Sequence, residues 1–143
     1  MMRTDDVVVR LGSTGDFPGV AELYREWGYR GGVQPQDRLI IAEHDGQIVG
    51  VVRLTREQGH TMLRGMRVQP PYQRSGVGTR MLRLFEQQLS DECLCVPFAH
   101  LLGFYGQIGF REISRDEAPQ FLADRARSYE AEGHRVAIMR RPG

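Results

Sequence analysis

The stretch Arg67–Met81, RVQPPYQRSGVGTRM, decides how this chain is read. Pro70 and Pro71 stop an extended run, because proline cannot donate to a strand ladder. A polar segment with two glycines separated by one residue comes next, and then apolar residues return at helical spacing. Val77, Met81, Phe85 and Leu89 stand four apart with Leu82 beside them, which predicts a helix over about 76–90. Glycine weakens helices, so Gly76 and Gly78 at a helix start need another reason. The first amides of a helix lack intrahelical acceptors and point outward together, with the positive end of the dipole behind them. Neither glycine has a side chain to hold a ligand away. The amides of Ser75, Gly76, Val77, Gly78 and Thr79 can therefore wrap an anion such as a pyrophosphate, with Arg74 adding charge. The competing reading is that these glycines only allow tight packing of helix on sheet.

Other phosphate loops fit less well. A Walker A loop needs a lysine, and all nineteen basic residues here are arginine. The dinucleotide fingerprint G-x-G-x-x-G needs a third glycine where Met81 stands. Without lysine, no lysine Schiff base can form, and any anion site must use arginine or backbone amides.

Outward from this stretch, the chain reads as alternating strands and helices. Val7–Leu11 is a first strand. Asp16 caps a helix with Pro18 in its first turn and Phe17, Val20, Ala21, Tyr24 and Trp27 on one face. A glycine-rich segment, GYRGGVQPQD, leads to RLIIAEHDGQIVGVVRL, two β-branched runs around Asp45-Gly46 that read as a hairpin. A turn at REQGH leads to a third meander strand, TMLRGMRV, ending at the prolines. Beyond the central helix come a short buried strand (CLCVPF), a short helix closed by Gly109, and a strand (FREI). A helix opened by Ser114, Glu117 and Pro119 and ended by Gly133 then leads to a final strand, HRVAIMRR. The order is β-α-β-β-β-α-β-α-β-α-β, an α/β chain with a mixed sheet and helices on its faces.

At 143 residues one domain, 1–143, is expected. A net charge of +1 gives no reason to expect nucleic acid or an anionic membrane surface as partner. No apolar run approaches the roughly 20 residues that span a bilayer, and the start does not read as a secretion signal, so a cytoplasmic location is expected. Cys93 and Cys95 cannot complete a metal site alone and read as buried core thiols; no metal is expected.

Two motifs carry a resemblance to a known family. VQPPYQRSGVGTRML resembles the acetyl-CoA-binding motif of the GNAT N-acetyltransferase superfamily, V-x-P-x-x-[QR]-x-x-G-x-[GA], with Val68, Pro70, Gln73, Gly76 and Gly78 in register. FYGQIGF, Phe104 to Phe110, resembles the family's F-Y-x-x-x-G-F. The order of elements matches from Val7 to about Ile113. The resemblance implies an acyl-CoA N-acyltransferase fold of about seven strands, with a sheet that splays after TMLRGMRV. Acetyl-CoA would be held by Met66, Val68 and the loop Gln73, Arg74, Ser75, Gly76, Val77, Gly78 and Thr79. The pantetheine would pair with backbone including Val68, and the thioester carbonyl would lie near the Met66 amide. Tyr105 falls on the tyrosine that protonates the leaving thiolate; its bland alternative is a core aromatic beside Phe104 and Phe110.

The implied reaction is transfer of an acetyl group to a primary amine of a small molecule or peptide, by direct attack in a ternary complex. The amine must lose a proton before attack. Some members use a glutamate on the splayed strand as base, but Met62 occupies that position here. His100 is the first candidate base and His60, on the strand face of Met62, the second. Glu43, His44 and His134 are expected to be solvated. The acceptor site would be built by EWGYRGGVQPQDR, with Trp27, Tyr29 and Arg30, where an arginine could favour a carboxylate or phosphate. The helix EAPQFLADRARSYEAEG could form another wall or part of a homodimer contact. A non-catalytic acyl-CoA-binding sensor on the same fold is the alternative, and an unrelated phosphate-ligand binder is weaker.

Overall fold

In the computed structural model, residues 6–29 and 31–143 are described; Arg30 lies outside them. They divide into two compact units, 1–88 and 89–143. Seven strands and four α-helices follow the expected order.

In the first unit, β1 (Val8–Leu11), β2 (Arg38–His44), β3 (Gln47–Glu57) and β4 (His60–Val68) form an antiparallel meander in the order β1-β2-β3-β4. Both hairpin turns use two residues of positive φ, Asp45 (51°) with Gly46 (76°) and Gln58 (48°) with Gly59 (81°). Turns of that hand match the twist of the strands they join. Successive residues of β2 face opposite ways. Leu39 and Ile41 join Val51 beneath Val20, Leu23 and Tyr24 of α1 (Phe17–Trp27). The opposite face lies under α2 (Val77–Gln87), which buries Val77, Met81, Leu82 and Phe85 and packs on β1, β2 and β3. That two-sided cover explains why Leu39–Ala42 is an unbroken buried run.

Two expectations about α1 and its entry shift. Leu23, not Ala21, fills the inner face, and Ala21 is exposed. Asp16 precedes the helix without capping it through its side chain. Its carboxylate instead takes the Ser13 amide (2.8 Å) and an ion pair with Arg10 (2.8 Å), which also reaches Glu43 (2.7 Å).

In the second unit β5 (Cys93–Cys95), β7 (Ile138–Arg141) and β6 (Arg111–Ile113) are antiparallel neighbours in that order. Both cysteines are buried and free, as expected. The short helix is α3 (Leu102–Gly106), after a 3-10 turn at Ala99–Leu101, and Gly109 (φ 94°) ends the segment. Glu117 accepts the Ser114 amide (3.0 Å), but α4 (Gln120–Ala131) starts only after Pro119, so that pair closes a turn. Among the described residues no helix is long and apolar enough to cross a membrane.

Candidate active site

The residues from Gly65 to Thr79 build one continuous corner of the first unit. It begins with a break in the β3–β4 ladder. Arg53 pairs with Arg64 and Val51 with Arg67, so Gly65 and Met66 together stand opposite the single residue Val52. This is a β-bulge, and the two bulged residues leave the regular pairing. Gly65 is required there: its φ is +64°, and a Cβ would collide with the Tyr24 hydroxyl oxygen. That hydroxyl donates to the Gly65 carbonyl (2.7 Å), fixing the bulge against α1. Met66 stands in the bulge, half-buried.

After Val68 the prolines form a 3-10 turn, Pro70–Tyr72, and Gln73 follows it. The Gln73 side chain donates back to the Val68 carbonyl (2.7 Å), which ties the loop to the strand it leaves. The Ser75 hydroxyl donates to the Tyr72 carbonyl. Tyr72 is itself held, with its hydroxyl 2.7 Å from Nδ1 of His44. His44 is therefore not a solvated turn residue, and Glu43 accepts from Arg10. The expectation of solvation is corrected for His44 by a partner distant in sequence, whereas Glu43 keeps about a third of its side chain exposed.

Arg74 and Gly76 take positive φ, 60° and 88°, and Gly76 is the N-cap of α2. Gly76 has no side chain with which to cap this helix. A helix start without a capping side chain leaves its first amides for water or a ligand. A Cβ built on Gly76 would meet nothing within 4 Å, so the space beside the helix start is open. Glycine here serves its left-handed backbone and keeps that space free, rather than relieving a contact inside the protein. Exposed Arg74 supplies positive charge at the same corner. An uncapped helix start, open space and a guanidinium together fit a diphosphate.

The two other candidate residues lie in the second unit. Tyr105 in α3 is buried, with ring centroids 5.1 Å from Phe104 and 6.3 Å from Phe110. Its hydroxyl has no hydrogen-bond partner among the described residues. Burial, and then the Cys95 thiol, push its pKa far up, so it stays protonated. His100 is exposed in the 3-10 turn and stacks on Phe98 (5.9 Å, 10° between planes), which also meets the tilted ring of His134 (5.4 Å). His60 opens β4 opposite Glu57, and Met62 on the same face is fully buried. An apolar side chain with no exposure cannot serve as the base.

A further cluster of the first unit has no counterpart in the sequence motifs. Arg53 of β3 is buried and donates through Nε to the Tyr24 hydroxyl (3.2 Å). Its Nη1 donates to the Gly32 carbonyl (2.8 Å) and the Asp37 carboxylate (2.7 Å), and its Nη2 to the Tyr29 hydroxyl (3.0 Å). Arg64 donates to Glu57 (2.9 Å) and to Tyr29 (3.3 Å). Trp27 stacks on Tyr29 (5.1 Å) and lies under the Arg67 guanidinium (4.9 Å). Trp27 and Tyr29 thus pack together beside arginines contributed by β3 and β4.

These features agree with comparisons to known proteins. Residues 35–112, more than half of the chain, match the family model described as "Acetyltransferase (GNAT) domain". Among solved structures, N-acetylglutamate synthase from Neisseria gonorrhoeae, complexed with coenzyme A and N-acetyl-glutamate, aligns with 95% of this chain at 23% identity and a TM-score of 0.66. The chain spans 35% of that protein's length. An acyl-CoA N-acyltransferase from Pseudomonas aeruginosa aligns over 94% of this chain and 99% of its own (15% identity, TM-score 0.68). The ribosomal-protein-S18-alanine N-acetyltransferase of Escherichia coli aligns over 95% and 93% (16% identity, TM-score 0.64). At these identities the structures share the fold. No curated protein matches the sequence. The match to the family model, on a chain whose β4–α2 corner is bulged and opened by glycine, places this protein in the GNAT acetyltransferase family.

Proposed function

We propose that the enzyme moves an acetyl group from acetyl-CoA to a primary amine of a small molecule or peptide by direct attack in a ternary complex, with residues 1–143 acting as one catalytic domain. The single-domain reading is supported by the family match, which runs through the boundary at residue 88. The observation that carries the proposal is the uncapped start of α2 with open space beside Gly76. The amides of Ser75 to Thr79 and the charge of Arg74 hold the diphosphate. Coenzyme A as carrier is supported by its presence in the gonococcal structure of the same fold. Gln73 acts from behind, holding the loop in place through Val68. The Met66 amide, freed from regular pairing by the bulge, polarises the thioester carbonyl, and backbone near Val68 guides the pantetheine.

Acetyl-CoA supplies an activated acyl group and a thiolate that must leave. Tyr105 gives that thiolate a proton, a role suited to a hydroxyl that burial keeps protonated and that no protein group occupies. His100, an exposed imidazole, takes the proton of the amine. A covalent acyl-cysteine is disfavoured, since both thiols are buried in β5 and burial pushes that of Cys95 up, away from the nucleophilic thiolate. The test is release of free thiol from acetyl-CoA across an amine panel, for the wild type, Tyr105→Phe and His100→Ala. Acetyl-CoA should raise the melting temperature of all three. Tyr105→Phe should cut kcat by about 10²–10⁴. Unchanged turnover in that variant removes the acid role, and a shift of the wild-type melting temperature without turnover of any amine removes the transferase reading.

A further inference from the structure

A cavity of about 210 Å³ opens in the first unit against β3, with Gly32, Asp37, Arg53, Thr55, Glu57 and Arg64 in its wall. Strand alternation puts Arg53, Thr55 and Glu57 on one face, and the ladder sets Arg64 opposite Arg53. The hydrogen bonds of this wall do not balance. Four of the five guanidinium N–H groups of Arg53 are satisfied by Tyr24, Gly32, Asp37 and Tyr29, which leaves one on Nη2. Tyr29 stands behind the wall rather than in it; its oxygen receives N–H groups from both Arg53 and Arg64, so its own proton is the capacity that remains. Thr55 is 6% exposed, and its Oγ1 is the buried side-chain atom without a partner among the described residues. The Thr55 hydroxyl can donate as well as accept, so all three leftovers can donate.

Unsatisfied donors around a cavity ask for an acceptor, since a buried polar group without a partner costs about 1–3 kcal/mol. The charge balance narrows it. Asp37 and Glu57 already pair with Arg53 and Arg64, so a dianion would face two carboxylates, whereas a planar, singly charged carboxylate would not overload the site. The cavity also adjoins the bulge. Arg64 stands two residues before Met66, roughly 6–7 Å along a strand, which is the length of a small amino acid.

We propose that this cavity takes the carboxylate of the acceptor, so that the substrate is a small amine that also carries a carboxylate. This rests on the N-acetyltransferase reading above. The probes are L-alanine, β-alanine and L-glutamate, each against its own carboxamide, assayed by thiol release with the wild type, Thr55→Val and Thr55→Ser. An acid should show a KM about tenfold below that of its carboxamide. Thr55→Val should remove that preference by raising the KM of the acids, and Thr55→Ser, which restores the hydroxyl, should keep it. Equal turnover of acids and carboxamides, or a preference indifferent to Thr55→Val, overturns the pocket while leaving the transferase intact. If no amine is turned over, thermal shift with the same acids decides. An acid that raises the melting temperature of the wild type but not of Thr55→Val keeps the pocket as a carboxylate site and removes the acceptor role. No shift overturns it.

Discussion

Substitution of Gly76 separates two costs that usually arrive together. Its φ of +88° is one that L side chains rarely adopt, while a Cβ there meets no protein atom within 4 Å. Any non-glycine residue therefore loses stability through backbone strain alone, about 1–2 kcal/mol, and the loss should hardly depend on side-chain size. For a chain of this length that is roughly 2–8 °C in melting temperature. Coenzyme binding should behave differently, because the new side chain grows into the open space beside the α2 amides. Gly76→Ala, Gly76→Val and Gly76→Phe should thus unfold at similar temperatures while their Kd for acetyl-CoA rises stepwise. A tenfold rise would equal about 1.4 kcal/mol of lost interaction. Calorimetric unfolding and isothermal titration on the three variants provide both numbers. Two results would refute the reasoning. One is a Kd for Gly76→Phe equal to that of Gly76→Ala. The other is a stability that falls with side-chain size, which would mean the space is filled by the protein itself.

Tyr105→Phe should change the melting temperature little, since the hydroxyl it removes has no protein partner, and thermal unfolding beside the kinetics will show whether the loss is confined to kcat. Arg53→Met should destabilise by about 3–5 kcal/mol in urea titration, because it strands the 2%-exposed Asp37 side chain; Arg53→Met with Asp37→Leu should recover a large part of that loss. Arg10 and the Ser13 amide lower Asp16 from 3.8 to about 2, so between those values the unfolded chain binds a proton that the folded chain does not. Stability should therefore be full above about pH 5 and fall as pH drops through 2, by at most about 2–3 kcal/mol and less where solvent screens Arg10. Asp16→Asn should flatten that acid limb in urea titrations at each pH.

The order of elements was legible because each strand and helix carries its own local signal. Asp45-Gly46 dictates a hairpin by backbone chemistry alone, and the turn at Gln58-Gly59 has the same form. Val77, Met81, Leu82 and Phe85 mark the buried face of α2 without reference to anything distant. Where the reading slipped, two local signals competed. Ser114 and Glu117 do bond as a capping pair would, yet Pro119 restarts the chain direction and the helix begins after it. Ala21 fitted an apolar stripe by type, but the stripe turns towards Leu23, which has more surface to bury. His44 looked exposed beside a turn because its partner, Tyr72, stands 28 residues away.

The candidate site divides along the same line. Its phosphate corner is written in consecutive residues, because a helix start binds through backbone amides and needs only glycine and an absent cap to declare itself. The arginine cluster is not. Arg53 sits in VVRL, where a strand pattern marks it as one outward charge among apolar neighbours. Nothing nearby shows that Asp37, 16 residues before it, and Tyr24 and Tyr29, 29 and 24 before it, converge on it. Even with those contacts known, the orphaned donors emerge only from counting each N–H and O–H against its acceptor in three dimensions. The difference follows from what each half of the reaction requires. The acyl carrier presents a phosphate that generic backbone geometry can hold, so its site recurs as a motif. An acceptor is chosen by side chains drawn from separate elements, so its signature lies in their convergence. On the carboxylate-pocket proposal, Arg53 is also where selecting an acceptor and holding the fold meet: the guanidinium that ties α1, β3 and the following loop together keeps one N–H for the ligand.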